Sequence, residues 1–246
     1  MKQLLGKWLR SLGYEVVRAG AQYPDLSADD KRILELIRPF TMTSVERQIA
    51  LIHATRYVAR SGIAGAIAEC GVWRGGSMMA VAATLLSEGV SDRDLYLYDT
   101  FEGMPAPPEV DKRNDGTSAA AMKEELEKGG QRWCHASIQE VRHNLRSTGY
   151  PENKVHLVPG RVEDTIPKTM PGPLALLRLD TDWYESTKHE LVHLYPLLAV
   201  NGILIIDDYG YWQGARKAVD EYFTERGVRL YLHRVDDTGR GAIKTA

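Results

Sequence analysis

The chain has 246 residues, with 31 Lys and Arg against 33 Asp and Glu, a net charge of −2 that lacks the basic surplus of a nucleic-acid binder and points to a small-molecule partner. Its longest apolar runs, such as Leu197-Leu198-Ala199-Val200, fall far short of the roughly 20 residues a bilayer crossing needs, and no signal-peptide core is seen, so a cytoplasmic protein without membrane contact is expected. Cys70 and Cys134, the two cysteines, have neither disulfide-framework nor zinc spacing.

The length suits one large α/β domain, read here as residues 41–246 behind a helical extension or lid over residues 1–40. In that extension Leu4, Leu5, Trp8, Leu9 and Leu12 form an apolar helical stripe beside Lys2, Lys7 and Arg10. A helix packed on its own domain or on a partner subunit is expected in preference to one lying on a membrane surface. Ile33, Leu34 and Ile37 behind Asp29-Asp30 predict a short helix over Ala28 to Ile37. Thr43, with Glu46 three residues on, has the form of a capping box and opens a helix through Val45, Ile49 and Ile52 that stops at Ser61-Gly62.

The first βα unit follows. Ala66 to Cys70 is a strand, Gly71-Val72-Trp73-Arg74-Gly75-Gly76-Ser77 a glycine-rich turn, and Met78 to Leu86 a helix of small residues. The turn is not the dinucleotide pattern G-x-G-x-x-G. Glu69 stands before its first glycine, which disfavours a pyrophosphate there and suits a cationic ligand; a plain tight turn is the other reading. Asp99 ends the next strand, Asp94 to Tyr98, roughly two dozen positions after the turn, where ribose hydroxyls are bound in such folds, so adenosine recognition is expected. The long stretch from Thr100 to Thr117 is a candidate cover for the substrate.

Helices are predicted near Ser118 to Lys128 and Ser137 to Arg146, and a third strand at Val155 to Val158 ends in the turn Gly160 to Pro167. Leu174 to Leu179 and Gly202 to Ile206 then read as buried strands that deliver Asp180 and Asp182, and Asp207 and Asp208, to the carboxyl edge of the sheet. Four Asp around one crevice point to a divalent metal site. A helix from Trp212 to Gly227 and a hairpin of Val228 to Arg234 with Gly241 to Lys244 complete the chain.

Thr41-Met42-Thr43-Ser44, Glu69 to Gly76, Tyr98-Asp99-Thr100-Phe101-Glu102-Gly103-Met104, Leu179 to Thr187, Ile206-Asp207-Asp208-Tyr209 and Ala215-Arg216-Lys217-Ala218 together resemble the macrocin O-methyltransferase family, collinearly over roughly residues 38–245. The resemblance implies a class I methyltransferase fold: a Rossmann-like seven-stranded sheet with helices on both faces. It implies S-adenosylmethionine and Mg²⁺ as cofactors, and a hydroxyl on the sugar of an antibiotic-type glycoside as acceptor. A phenol or catechol acceptor is the alternative, and a homo-oligomer is expected. Residue by residue, it implies Asp180, Asp207 and Asp208 as metal ligands and Asp182 as general base. It places Glu69 near the methionine portion, Asp99 on the ribose, Val162 and Glu163 beside the adenine, and Thr41 and Met42 folded over the cofactor. Gly71, Gly75, Ser77, Thr100 and Asp180 are further expected cofactor contacts.

The chemistry fits these residue types. Water has a pKa of about 15.7, which falls to roughly 7 only on a strong Lewis acid, and a sugar hydroxyl is barely more acidic than water. Mg²⁺ polarises less, so a base should share the task. Adjacent Asp207 and Asp208 would point oppositely in a strand, so both reach one ion only if the strand has ended. For Asp182 taken alone, capping the next helix is the competing role. His189 and His193 sit i, i+4 but lack a third ligand, and a packing role is expected.

Overall fold

The computed structural model describes residues 23–246, so the apolar stripe from Leu4 to Leu12 lies outside the described residues. Seven strands form one sheet: β1 Ala66–Cys70, β2 Leu95–Asp99, β3 Val155–Pro159, β4 Leu174–Leu179, β5 Leu198–Ile206, β6 His233–Arg234 and β7 Arg240–Ile243. Their order is 3-2-1-4-5-7-6, with β7 antiparallel to both neighbours and the first five parallel. Every residue of β1 and β4 is buried, as expected of central strands covered on both faces.

One face carries α1 Ala28–Ile37, α2 Val45–Arg60, α3 Gly76–Ser87 and, beyond α4 Ala119–Lys128, α5 Ile138–Ser147. Ile33, Ile52, Met79 and Val141 pack there on Ile67 and Leu97. The other face carries the short α6 Val162–Thr165, then α7 Tyr184–Leu194 and α8 Gln213–Glu225, whose Leu191, Val219 and Phe223 pack on Ala68, Leu177 and Leu204. Neighbouring strand residues serve opposite cores, as the period of two requires.

Two local readings change, and one competing role falls away. The cap of α2 is Ser44, whose hydroxyl accepts from the Arg47 N–H at 3.2 Å, one residue later than the Thr43–Glu46 box predicted. Thr43 instead donates its own N–H to the Thr41 hydroxyl, which turns the preceding segment. Of Val228 to Arg234, only His233–Arg234 pairs, opposite Gly241 and Arg240 of β7. Asp182 does not cap α7: Trp183 occupies that position without a side-chain bond, and the Tyr184 N–H donates to Asp111 at 2.9 Å.

Candidate active site

The strand order reverses direction between β1 and β4, and the carboxyl ends of β2, β1, β4 and β5 open there into a cavity of about 500 Å³. Backbone bonds hold these ends in step beyond the strands. The Gly71 N–H donates to Tyr98 O at 2.8 Å, Asp180 N–H to Cys70 O at 2.9 Å, and Asp207 N–H to Leu179 O at 2.9 Å. Gly71 lies at φ 81°, and a Cβ there would come within 2.7 Å of the Asp180 carbonyl carbon. Glycine is thus required where β1 and β4 meet at the cavity floor.

Thr41, Met42, Glu69, Gly71, Ser77, Asp99, Thr100, Val162, Glu163, Asp180, Asp182, Asp207 and Asp208 all line this cavity. Gly75 does not. It caps α3 in the left-handed conformation, φ 83°, with Leu145 and Val141 of α5 packed where a Cβ would stand, and Gly76 takes its place in the wall. Asp99 is held from several sides: its Oδ2 accepts from the Val72 and Trp73 N–H groups at 2.7 and 3.0 Å, and its Oδ1 from the Phe101 N–H at 2.7 Å. The Thr100 hydroxyl turns to Gly103 O at 2.8 Å and stands 3.4 Å from Oδ1, leaving that oxygen room for another donor.

Asp180, Asp207 and Asp208 each offer an oxygen within 4.8 Å of the others. The strand has ended by Ile206, so Asp207 and Asp208 both reach the cavity rather than opposite faces. Burial pushes the carboxyls of Asp180 and Asp208 well above the usual range, with the neighbouring acids adding to it. Asp208 Oδ2 is buried without a hydrogen-bond partner. An oxygen cluster of this kind, with a desolvated acceptor left open, fits a hard divalent cation. Asp182 lies within hydrogen-bonding reach of Asp208, and burial raises its carboxyl to about 7. Its φ of 69° is left-handed, as are those of Trp73, Phe101 and Cys134 around the cavity, so backbone strain concentrates here.

Two cations were not singled out from the sequence. Arg178 of β4, 4% exposed, pairs with Glu69, with Asp180 at 2.6 Å and with Asp207 at 2.5 Å. Burial opposes its charge, but those carboxylates outweigh it and hold it firmly protonated. Arg47 of α2 pairs with Asp207 and, at 2.9 Å, with Asp236 of the β6–β7 turn. Burial pushes Glu69 up to about 7 despite Arg178, and its Oε2 is buried without a partner, open to a cationic donor. The residues therefore also fit the amino group of an amino-acid-bearing cofactor.

The far wall is apolar. Trp212 meets Trp183 with ring centres 5.1 Å apart and Trp133 at 6.0 Å, beside Met104, Met122 and Tyr211. These aromatics come from a loop and two helix starts. No local pattern announces the group; only its richness in Trp near the Asp motifs could have drawn notice. The two histidines are packing groups: His189 Nε2 lies 2.8 Å from Ile166 O, and the two rings meet tilted by 36° with centres 4.2 Å apart. Cys70 is core, and Cys134 lines the cavity with its thiol pushed by burial up to about 12.

The family model for macrocin O-methyltransferase (TylF) matches residues 23–241. The chain belongs to this family. It is an O-methyltransferase with the class I, S-adenosylmethionine-dependent methyltransferase fold expected from the sequence. Among curated family relatives, it is 35% identical over 200 residues to the 8-demethyl-8-(2,3-dimethoxy-alpha-L-rhamnosyl)-tetracenomycin-C 4'-O-methyltransferase of Streptomyces olivaceus, covering 81% of this chain and 73% of that one. It is 32% identical over 199 residues to the mycinamicin III 3''-O-methyltransferase of Micromonospora griseorubida, covering 81% and 76%. Among solved structures, the O-methyltransferase NovP superposes with a TM-score of 0.73 at 31% identity, over 84% of this chain and 83% of that one. The calicheamicin methyltransferase CalS11, at 20% identity and a TM-score of 0.63 over 93% and 94%, shares the fold. Among the described residues, no helix is long and apolar enough to cross a membrane.

Proposed function

We propose that this O-methyltransferase moves the methyl group of S-adenosylmethionine to a sugar hydroxyl of a glycosylated natural product. Mg²⁺ is held by Asp180, Asp207 and Asp208, and Asp182 takes the hydroxyl proton. The observation that carries this reading is the meeting, in one cavity, of three carboxylates within 4.8 Å of one another with a fourth, Asp182, within hydrogen-bonding reach of Asp208. Burial raises the Asp182 carboxyl, which makes it a stronger base than an exposed carboxylate. When bound, the ion supplies Lewis acidity toward the acceptor oxygen.

The remaining roles belong to this chain. Glu69 receives the cofactor's amino group on its open Oε2, and Asp99, immobilised by three backbone N–H groups, receives a ribose hydroxyl. Thr41 and Met42, the latter 63% exposed, border the opening and close over the cofactor. The wall of Trp133, Tyr211 and Met122 offers an apolar surface to the sugar ring and its aglycone while excluding water. The names of the tetracenomycin and mycinamicin relatives support a glycoside acceptor.

The test is mass spectrometry after incubation with S-adenosylmethionine, Mg²⁺ and a glycoside library. A glycoside gaining one methyl is expected, with the gain abolished by EDTA and restored by Mg²⁺. Turnover insensitive to EDTA would remove the ion, and methylation of catechols but of no glycoside would replace the acceptor class.

A further inference from the structure

Arg178 sits in the middle of three parallel strands. Its register neighbour on β1 is Glu69, and on β5 it is Ile205, two residues before Asp207. One planar guanidinium thereby spans the floor of the cavity. Its Nη1 donates both to Glu69 Oε1 and to Asp180 Oδ2, the latter at 2.6 Å, while Nη2 donates to Asp207 Oδ1 at 2.5 Å. Glu69, 1% exposed, lines the cavity and keeps a buried Oε2 without a hydrogen-bond partner, whereas Asp180 and Asp207 belong to the acidic cluster. A single donor atom is thus divided between Glu69 and the acidic cluster.

We infer that Arg178 couples the two sites, so that cofactor and divalent cation each tighten the other; the inference rests on the reading of Glu69 as a cofactor contact and of Asp180, Asp207 and Asp208 as the cation's carboxylates. Whichever ligand arrives first orders the carboxylates on its own side and, through the fork, those on the other, so the second meets a site already arranged. The fork geometry is essential. A lysine ammonium keeps the charge but has one nitrogen in place of the rigid two-armed fork that divides these carboxylates. Arg178 is a positioning residue in this scheme, touching neither the methyl group nor the acceptor.

Calorimetric titration of the full chain with S-adenosylhomocysteine, in EDTA and then in MgCl₂, reads the coupling directly. That probe lacks the sulfonium charge and so avoids its repulsion by the ion. In the wild type Mg²⁺ tightens the nucleoside by about five-fold or more, and reciprocity requires the same factor for Mg²⁺ affinity in its presence. Arg178→Lys should bind both ligands with a coupling under about two-fold. Glu69→Gln leaves the guanidinium and the three aspartates in place, so its Mg²⁺ affinity should stay within about two-fold of wild type while the coupling disappears. A wild type without coupling overturns the proposal, as does full coupling retained in Glu69→Gln, which decides the matter should Arg178→Lys not fold. Absence of Mg²⁺ binding to the wild type would instead overturn the reading of the aspartates.

Discussion

Replacing Asp182 by Asn should produce an enzyme that is inactive yet more stable. Burial raises this carboxyl from an ordinary 3.8 to about 7, so the native state keeps a proton that the unfolded chain has already lost across that window. Stability therefore falls as pH rises from about 4 to 7, and the cost is complete above the native pKa. About three units at 1.36 kcal/mol each gives roughly 4 kcal/mol as the ceiling. Because Asp182 and Asp208 lie within hydrogen-bonding reach and share the effect, roughly 2–4 kcal/mol is the expectation. Asn carries no charge, can donate to Asp208, and is among the residues most tolerant of the left-handed backbone at φ 69°.

Denaturant unfolding in EDTA should accordingly show Asp182→Asn exceeding the wild type by roughly 2–4 kcal/mol near pH 8 and matching it near pH 4. Turnover with Mg²⁺ should fall by about 10²- to 10⁴-fold, the usual share of a general base, while S-adenosylhomocysteine affinity is unchanged. A variant with near-wild-type turnover, or one whose stability advantage does not depend on pH, would refute the argument. The first result would remove the base role, and the second the buried charge.

Two further substitutions probe the cavity's frame and its far wall. Gly71→Ala forces a Cβ to within 2.7 Å of the Asp180 carbonyl carbon at φ 81°, and should lower Tm by about 6–12 °C by calorimetry, since strain and overpacking together cost roughly 3 kcal/mol. Trp133→Ala removes part of the apolar wall and should raise the acceptor KM by about ten-fold or more while leaving S-adenosylhomocysteine binding as it was.

The elements whose signal is local were legible in the chain itself. The glycine turn after β1, the acidic strand ends and the buried runs of β1 and β4 each depend on neighbours a few residues away, and Ala28–Ile37 folds over the range its apolar spacing indicates. The α2 cap falls one residue beyond the Thr43–Glu46 box because Thr43 and Ser44 are both competent caps. What selects Ser44 includes the bond from its hydroxyl to Asp236, 192 residues away. Gly75, expected at the cofactor, stands outside the cavity wall: its left-handed φ serves a helix start packed on α5, which only the fold reveals.

By itself the sequence determined that Glu69, Asp99, Asp180, Asp182, Asp207 and Asp208 stand where strands stop, because hydrophobic periodicity ends at those residues and polar chemistry begins. Tertiary structure alone decided how their charges are balanced and what they face. Arg178 meets Glu69 through strand register, Arg47 meets Asp207 through the packing of α2, and Trp133, Trp183 and Trp212 meet through three separate segments. Such long-range partners leave no mark in local sequence, since a buried ion pair needs only two side chains brought together in space, whatever number of residues separates them.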